Sequence, residues 1–180
     1  MKLMFVAVLA ALTMLPAITL AANDVPGSLP GGASRLQETH GAWLVNCATA
    51  VAPATGIQCS FRQQVVDGNR RPVMVIGLSP VADGSIKGTL LMPFGLSIGP
   101  GVSLQIDDGP TTTPSKFKTC LAAGCIVPIS WSADTLDALK NGKALKIIAM
   151  GANSQPANFT VSLNGFVSAL DRAAALMGNK

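Results

Sequence analysis

Four cysteines are the residues of this chain whose type and spacing point most directly to chemistry. Cys47 and Cys59 flank one turn region, and Cys120 and Cys125 close a tight Cys-Leu-Ala-Ala-Gly-Cys loop. Four cysteines permit three pairings. Because loop closure costs least entropy for near neighbours, the expected disulfides are Cys47 with Cys59 and Cys120 with Cys125.

Two other uses of the cysteines fit the sequence less well. A redox pair of the thioredoxin kind needs C-x-x-C at the start of a helix, and neither pair has that spacing. A zinc site needs closer spacing or histidine ligands, and His40 is the only histidine of the chain. The sequence therefore favours structural disulfides and predicts no metal and no cofactor.

The remaining candidates for catalysis are few. A Ser–His–Asp arrangement would have to use His40, which lies in a polar lead just before the first predicted strand, and no nucleophile elbow is present. Asp107 and Asp108 form an acidic pair that would suit a cation or a carboxylate dyad. Gly109 and Pro110 follow them, which favours a turn that ends a strand. We therefore predict that the protein is not an enzyme.

The N-terminus has the three parts of an export signal. Lys2 supplies the positive charge, the apolar run 3–15 follows, and small residues precede a cleavage site near Ala21, with Ala22 as the rival position. The apolar run is shorter than the about 20 residues of a membrane span, although a retained anchor helix is the alternative. We predict a signal peptide over residues 1–21, no stable membrane span, and a periplasmic or secreted bacterial protein.

Composition separates the rest of the chain into an N-terminal arm and one domain. Residues 22–35 are rich in Gly and Pro, which predicts a flexible arm, and residues 36–177 predict a single disulfide-stapled β domain. Charged residues make up 12% of the chain, aromatic residues 4%, and the net charge is +4. Because no basic stripe is interleaved with aromatic residues, the sequence argues against nucleic-acid binding.

Alternating apolar residues predict many short strands joined by turns. Ile57, Cys59 and Phe61 share one face of such a strand. The segment 72–78 is apolar on both faces, which indicates a central strand. The predicted fold is mainly β, a β-sandwich or partly open barrel of about eight or nine strands with two short helices. The strand-like segments are 42–48, 57–66, 72–78, 88–93, 102–106, 116–120, 126–131, 144–150 and 158–163, and the helical segments are 132–141 and 166–177.

The apolar segment 93–101 is the candidate interaction surface. It carries Phe94, Leu96 and Ile98 among several Gly and Pro residues, so it is expected to form a loop. An interaction surface has an apolar centre with a polar rim, and this loop supplies such a centre. The competing interpretation is that the three side chains plug one end of the sandwich.

Several short motifs follow one another in a distinctive order over most of residues 36–176. They are Trp43-Leu44-Val45-Asn46-Cys47, Cys59 with Arg62-Gln63-Gln64, Met92-Pro93-Phe94-Gly95-Leu96, Gly101-Val102, Cys120, Gly124-Cys125, Leu163-Asn164-Gly165-Phe166 and Ala169-Leu170. Together they resemble the invasion-associated locus B family of bacterial envelope proteins, although Leu96 stands where the family usually has Val. The resemblance implies export, two disulfides, a β-rich fold and a role at the host-facing or stress-facing envelope; it supplies no catalytic residue.

Three functional hypotheses follow. The first is an exported, non-enzymatic protein that acts by binding in host-cell invasion or envelope interaction, with an unknown protein or envelope component as its partner. The second is a periplasmic binding or chaperone-like module, which a large exposed apolar patch would favour. The third is a hydrolase with an unrecognised site, which would need a deep pocket joining His40 to acidic side chains.

Overall fold

The computed structural model describes residues 29–52 and 55–178. The predicted signal peptide (1–21), its cleavage site near Ala21 and the first part of the predicted arm lie outside these residues. The elements are β1 Arg35–His40, β2 Trp43–Thr49, β3 Ile57–Val66, β4 Pro72–Pro80, β5 Ile86–Met92, β6 Ser103–Ile106, β7 Thr119–Leu121, β8 Gly124–Trp131, α1 Ala133–Asn141, β9 Ala144–Met150, β10 Pro156–Ser162 and α2 Phe166–Leu176.

The strands form two antiparallel sheets that remain open at their edges. The larger sheet has seven strands in the order β1-β2-β3-β4-β5-β8-β7, and the smaller has three in the order β10-β9-β6. The apolar segment 72–78 falls in β4, the middle strand of the larger sheet, as its sequence predicted. The protein is therefore a β-sandwich with two helices, and it is not a barrel.

Alternation along each strand decides which side chains enter the core. In β3 the residues Ile57, Cys59, Phe61 and Gln63 are buried, and those between them face away from the core. Trp43 of β2 and Phe166 of α2 meet Phe61 here, with ring centroids 5.4–5.7 Å apart and edge-on contacts. Edge-to-face packing suits the aromatic quadrupole, so this cluster fixes α2 against the larger sheet.

A buried glutamine joins the two sheets. The side-chain amide of Gln63 donates to the Ser162 carbonyl at 2.8 Å and accepts from the Ser162 N–H at 2.9 Å. The indole N–H of Trp43 donates to the same carbonyl at 2.9 Å. A side chain of the larger sheet thus pairs with the edge of β10 as a neighbouring strand would, which satisfies polar groups in the interior.

The structure adds a strand at the N-terminal edge. Nine strands correspond to predicted segments, but β1 was predicted as an arm and a polar lead. Because Leu36 is the one apolar residue of β1, the segment carries no apolar alternation, and backbone pairing with β2 decides its conformation instead. His40 is correspondingly a half-buried residue of β1, so its predicted position in a polar lead before the first strand is wrong.

The described end of the predicted flexible arm is also packed. Leu29 is 1% exposed and belongs to the core, and a short 3₁₀ turn follows it at Pro30–Gly32. The Thr49 N–H donates to the Ser34 carbonyl at 3.0 Å. The Gly and Pro residues that predicted flexibility therefore shape a turn that brings Leu29 onto the core.

Replacing Gln63 by Ala is expected to lower the free energy of unfolding by about 1–3 kcal/mol, because the partly buried Ser162 N–H loses its partner. Gln64, its neighbour on the exposed face of β3, is the matched control, and Q64A should shift stability by no more than about 0.5 kcal/mol. Urea unfolding measures both. Equal effects of the two substitutions would contradict this role of Gln63.

Candidate interaction surface

The loop between β5 and β6 carries the candidate surface, and backbone hydrogen bonds fix it to the smaller sheet. The Ser97 N–H donates to the Met150 carbonyl at 2.7 Å, and the Ala152 N–H donates to the Gly95 carbonyl at 2.8 Å. Leu96 forms an antiparallel bridge with Gly151. The loop thus continues the β6 side of β9 instead of extending freely into solvent.

Glycine conformations also define the shape of the loop. Gly95 and Gly101 have φ values of 85° and 77°, in the region that other residues rarely adopt. At Gly101 a Cβ atom would lie 2.6 Å from the Ser115 carbonyl oxygen, so the two backbone segments approach too closely for a side chain. These constraints give the loop one preferred path.

The three apolar residues of the loop divide between surface and core. Phe94 is 62% exposed and Ile98 is 56% exposed, whereas Leu96 is half-buried and packs against the core. We call Phe94, Leu96 and Ile98 the 94–98 surface. Leu96 anchors it, and the two flanking side chains face solvent, so an end plug does not describe Phe94 or Ile98.

Both disulfides join residues that lie directly opposite each other on neighbouring strands. Cys47 of β2 bonds to Cys59 of β3, and Cys120 of β7 bonds to Cys125 of β8. Cys47 and Cys59 are buried in the core, whereas Cys120 is exposed on the edge strand of the larger sheet. The first bridge therefore stiffens the interior and the second stiffens a sheet edge.

The acidic pair after β6 is held by the fold. The Asp107 carboxylate accepts hydrogen bonds from the backbone N–H groups of Lys143 and Ala144, the shortest at 2.9 Å. Asp108 forms an ion pair with Lys146 at 2.9 Å. The pair lies in the turn that ends β6, as its sequence predicted, and each carboxylate already has a structural partner.

His40 lies in a charged cluster that links β1 to α2. Arg172 of α2 donates to both carboxylate oxygens of Glu38 at 2.7 and 2.8 Å, and the His40 Nε2 lies 3.4 Å from the same carboxylate. The hydrogen bond from Arg172 is the main reason that the pKa of Glu38 lies below its ordinary value, and the His40 contact adds to it. We call these three residues the β1–α2 clasp.

Sequence reasoning had no signal for this clasp, because Glu38 and Arg172 are 134 residues apart. Over residues 29–52 and 55–178, no three His, Cys, Asp or Glu side chains come together in a way that could hold a metal ion. Within the same residues, neither helix has the length and apolar character that a membrane crossing requires.

Comparison with known proteins assigns the chain to a protein family. The family model described as "Invasion associated locus B (IalB) protein" matches residues 43–174, from the start of β2 almost to the end of α2. The chain belongs to the invasion associated locus B family. The resemblance that its cysteine and glycine motifs predicted is thereby confirmed.

Relatives and a solved structure agree with this assignment. The chain is 43% identical over 152 residues to an invasion protein B homolog of Brucella abortus strain 2308, covering 83% of this chain and 85% of that protein. It is 35% identical over 157 residues to invasion protein B of Bartonella bacilliformis, covering 83% and 80%. The crystal structure of invasion associated protein b from Bartonella henselae superposes with a TM-score of 0.73 at 36% identity, covering 79% of this chain and 97% of that one.

The β1–α2 clasp predicts a specific pH dependence of stability. Glu38 titrates near 4.5 in the unfolded chain and lower in the folded protein, so the unfolded state takes up the proton first as the pH falls. The contribution of Glu38 is therefore complete above pH 4.5 and is lost as the pH falls through the lower pKa of the folded protein.

Unfolding free energies measured against pH check this expectation. Both E38Q and R172M should lower stability at neutral pH and flatten the fall in stability below pH 4.5. D83N is the comparison variant. Asp83 also has a lowered pKa, but its main partner is Ser85 in an exposed turn, so D83N should lower stability at neutral pH less than E38Q does and leave the effect of R172M unchanged. Parallel curves for the wild type and E38Q would show that the clasp carries none of the pH dependence.

Proposed function

We propose that this member of the invasion associated locus B family is an exported, non-enzymatic protein that acts by binding a protein or envelope component. The observation that carries the proposal is the 94–98 surface, where Phe94 and Ile98 remain exposed on a loop of fixed path. A loop that is ordered before it meets its partner loses less conformational entropy on binding. The names of the relatives associate the family with invasion.

The groups that suggested catalysis support a binding role because they already serve the fold. The acidic side chain beside His40 is Glu38, and Arg172 holds both of its oxygens. Asp107 and Asp108 bind backbone N–H groups and Lys146. A general acid or base needs a group free to exchange a proton with a substrate, and these carboxylates are occupied.

The second candidate function is a periplasmic binding or chaperone-like module. The same exposed Phe94 and Ile98 favour it, because apolar side chains at a surface bind unfolded or extended segments as well as a folded partner. The two functions differ in selectivity. An invasion partner would be captured as one defined species, whereas a chaperone-like module would bind many unfolded chains with similar affinity.

Export is tested by the intact mass of the protein recovered from outside the cytoplasm, with free thiols alkylated before lysis. We expect a chain that begins at Ala22 or Asn23, because the export signal precedes a small-residue cleavage site. We also expect no alkylation, because each of the four cysteines is paired in the structure. A mass that retains the first 20 residues, or alkylated cysteines, would contradict export through this signal into an oxidising compartment.

Binding through the 94–98 surface is tested with the double variant F94S/I98S. We expect invasion by the source organism, or capture of a crosslinked partner, to fall to the level of a deletion strain, while the unfolding midpoint stays unchanged because both side chains are exposed. V51S is the matched control, since Val51 is 85% exposed outside this loop and its loss should alter neither readout. L96S should instead lower stability by about 1–3 kcal/mol.

Two results would count against this surface. Invasion and capture by F94S/I98S at the wild-type level would show that binding occurs elsewhere. A large drop in the unfolding midpoint of F94S/I98S would show that the two side chains support the core. If H40A lost invasion while its fold stayed intact, the hydrolase would be favoured over both binding functions.

A further inference from the structure

A cavity lies between α1 and the smaller sheet, separate from the 94–98 surface. Its volume is about 370 Å³, near the lower end of the range of small-molecule sites. Its walls come from β6, β8, β9 and α1 and from the segment 109–112. The apolar side chains that form most of its lining are Leu104, Ile106, Pro110, Trp131, Leu139 and Leu145.

The walls of this cavity are held in place by the fold. Thr112 pairs with Leu104 of β6 through its backbone N–H at 2.8 Å, and its hydroxyl accepts from the Leu104 N–H at 2.9 Å. The Gln105 side chain donates to the Gly109 carbonyl at 2.8 Å. The segment 109–112 is therefore a fixed wall, so a ligand would enter a site that already has its shape.

Trp131 lines the cavity and carries an indole N–H that has no hydrogen-bond partner among the described residues. It is 6% exposed, yet its indole N–H donates to no group in the part of the chain that the structure describes. In that part of the chain no buried side-chain nitrogen or oxygen is both sealed from solvent and unpaired. The indole N–H is therefore not sealed from solvent, and Trp131 is one of the residues that line the cavity. In contrast, the indole of Trp43 is paired with Ser162.

The charge of one lining residue limits which ligands the cavity can bind. Asp134, in the first turn of α1, is the one charged side chain among the lining residues. A carboxylate at the entrance of an apolar cavity repels an anion and tolerates a neutral or cationic molecule. We propose that this cavity binds a compact apolar molecule that carries a hydrogen-bond acceptor for Trp131 and no negative charge.

The probe for the test is prodan, a neutral naphthyl ketone whose carbonyl accepts hydrogen bonds and whose emission shifts to the blue in an apolar site. We expect saturable binding with a blue shift by the intact mature protein. W131F keeps an aromatic side chain, although a smaller one, and removes the N–H, so it should weaken binding about three- to tenfold, which is the effect of one neutral hydrogen bond. No saturable binding by the wild type would overturn the proposal.

A blocking variant locates the bound probe. Ala138 is exposed on α1 and lines the cavity, so A138F should fill the space and abolish saturable binding. D137F places the same ring on the neighbouring helix position outside the lining and should bind as the wild type does. Wild-type affinity in A138F would place the probe elsewhere and overturn the proposal.

Two further measurements keep the test decisive if A138F does not fold. Amide chemical shifts of the wild type should change on prodan binding at Thr112, Thr135 and Leu139, and changes confined to other regions would overturn the site. Anilinonaphthalene sulfonate, an anion of similar shape, should bind more weakly than prodan, and D134N should reduce this difference. Preference for the anion in the wild type would overturn the assigned ligand class.

Discussion

Two sheets of unequal size share one core in this protein, and the backbone of one residue, Ser162, links them by hydrogen bonds. Ser162, the last residue of β10, accepts hydrogen bonds from both Trp43 and Gln63 and donates one back to Gln63. The partners come from the larger sheet and Ser162 from the smaller one. Leaving any of these buried groups unpaired would cost about 1–3 kcal/mol. These hydrogen bonds help to fix how the two sheets lie against each other, and Phe166 packs beside Trp43 next to this junction.

Local sequence patterns predicted most of the strands and helices. The features that depend on pairing between distant residues could not be predicted from the sequence. Alternation placed Cys59, Phe61 and Gln63 on one face of β3, and the structure buries all three. The same alternation cannot show that Gln63 pairs with a residue 99 positions away. β1 was missed for a related reason, since its conformation comes from pairing with β2 and from the clasp to α2, not from its own mostly polar sequence. The sequence placed the 94–98 surface in a loop. It could not show that Leu96 packs against the core whereas Phe94 and Ile98 are exposed, because this depends on contacts with distant residues.

The two sheets differ in the structural features that they carry. The larger sheet contains both disulfides and two of the three rings of the aromatic cluster, Trp43 and Phe61. The smaller sheet supports the features that face outward. β9 pairs through Met150 with the loop of the 94–98 surface, and it contributes Leu145 to the cavity beneath α1. If the proposed binding function holds, changes in the loops around β9 would vary recognition while the larger sheet stays the same, as in other folds that carry binding loops on a framework of strands.

The positions of the disulfides have a consequence for the order in which the molecule is assembled. Each bridge joins the two strands of one hairpin, at sequence separations of 12 and 5 residues. Ser162 and Phe166, which close the core, lie beyond both hairpins near the C-terminal end. A chain that emerges N-terminus first can complete both bridges while the interior around Trp43 is still open. Oxidation of all four cysteines therefore reports the completion of two hairpins and not of the whole fold. A chain truncated before β10 would have no free thiol and would still lack Ser162 and Phe166.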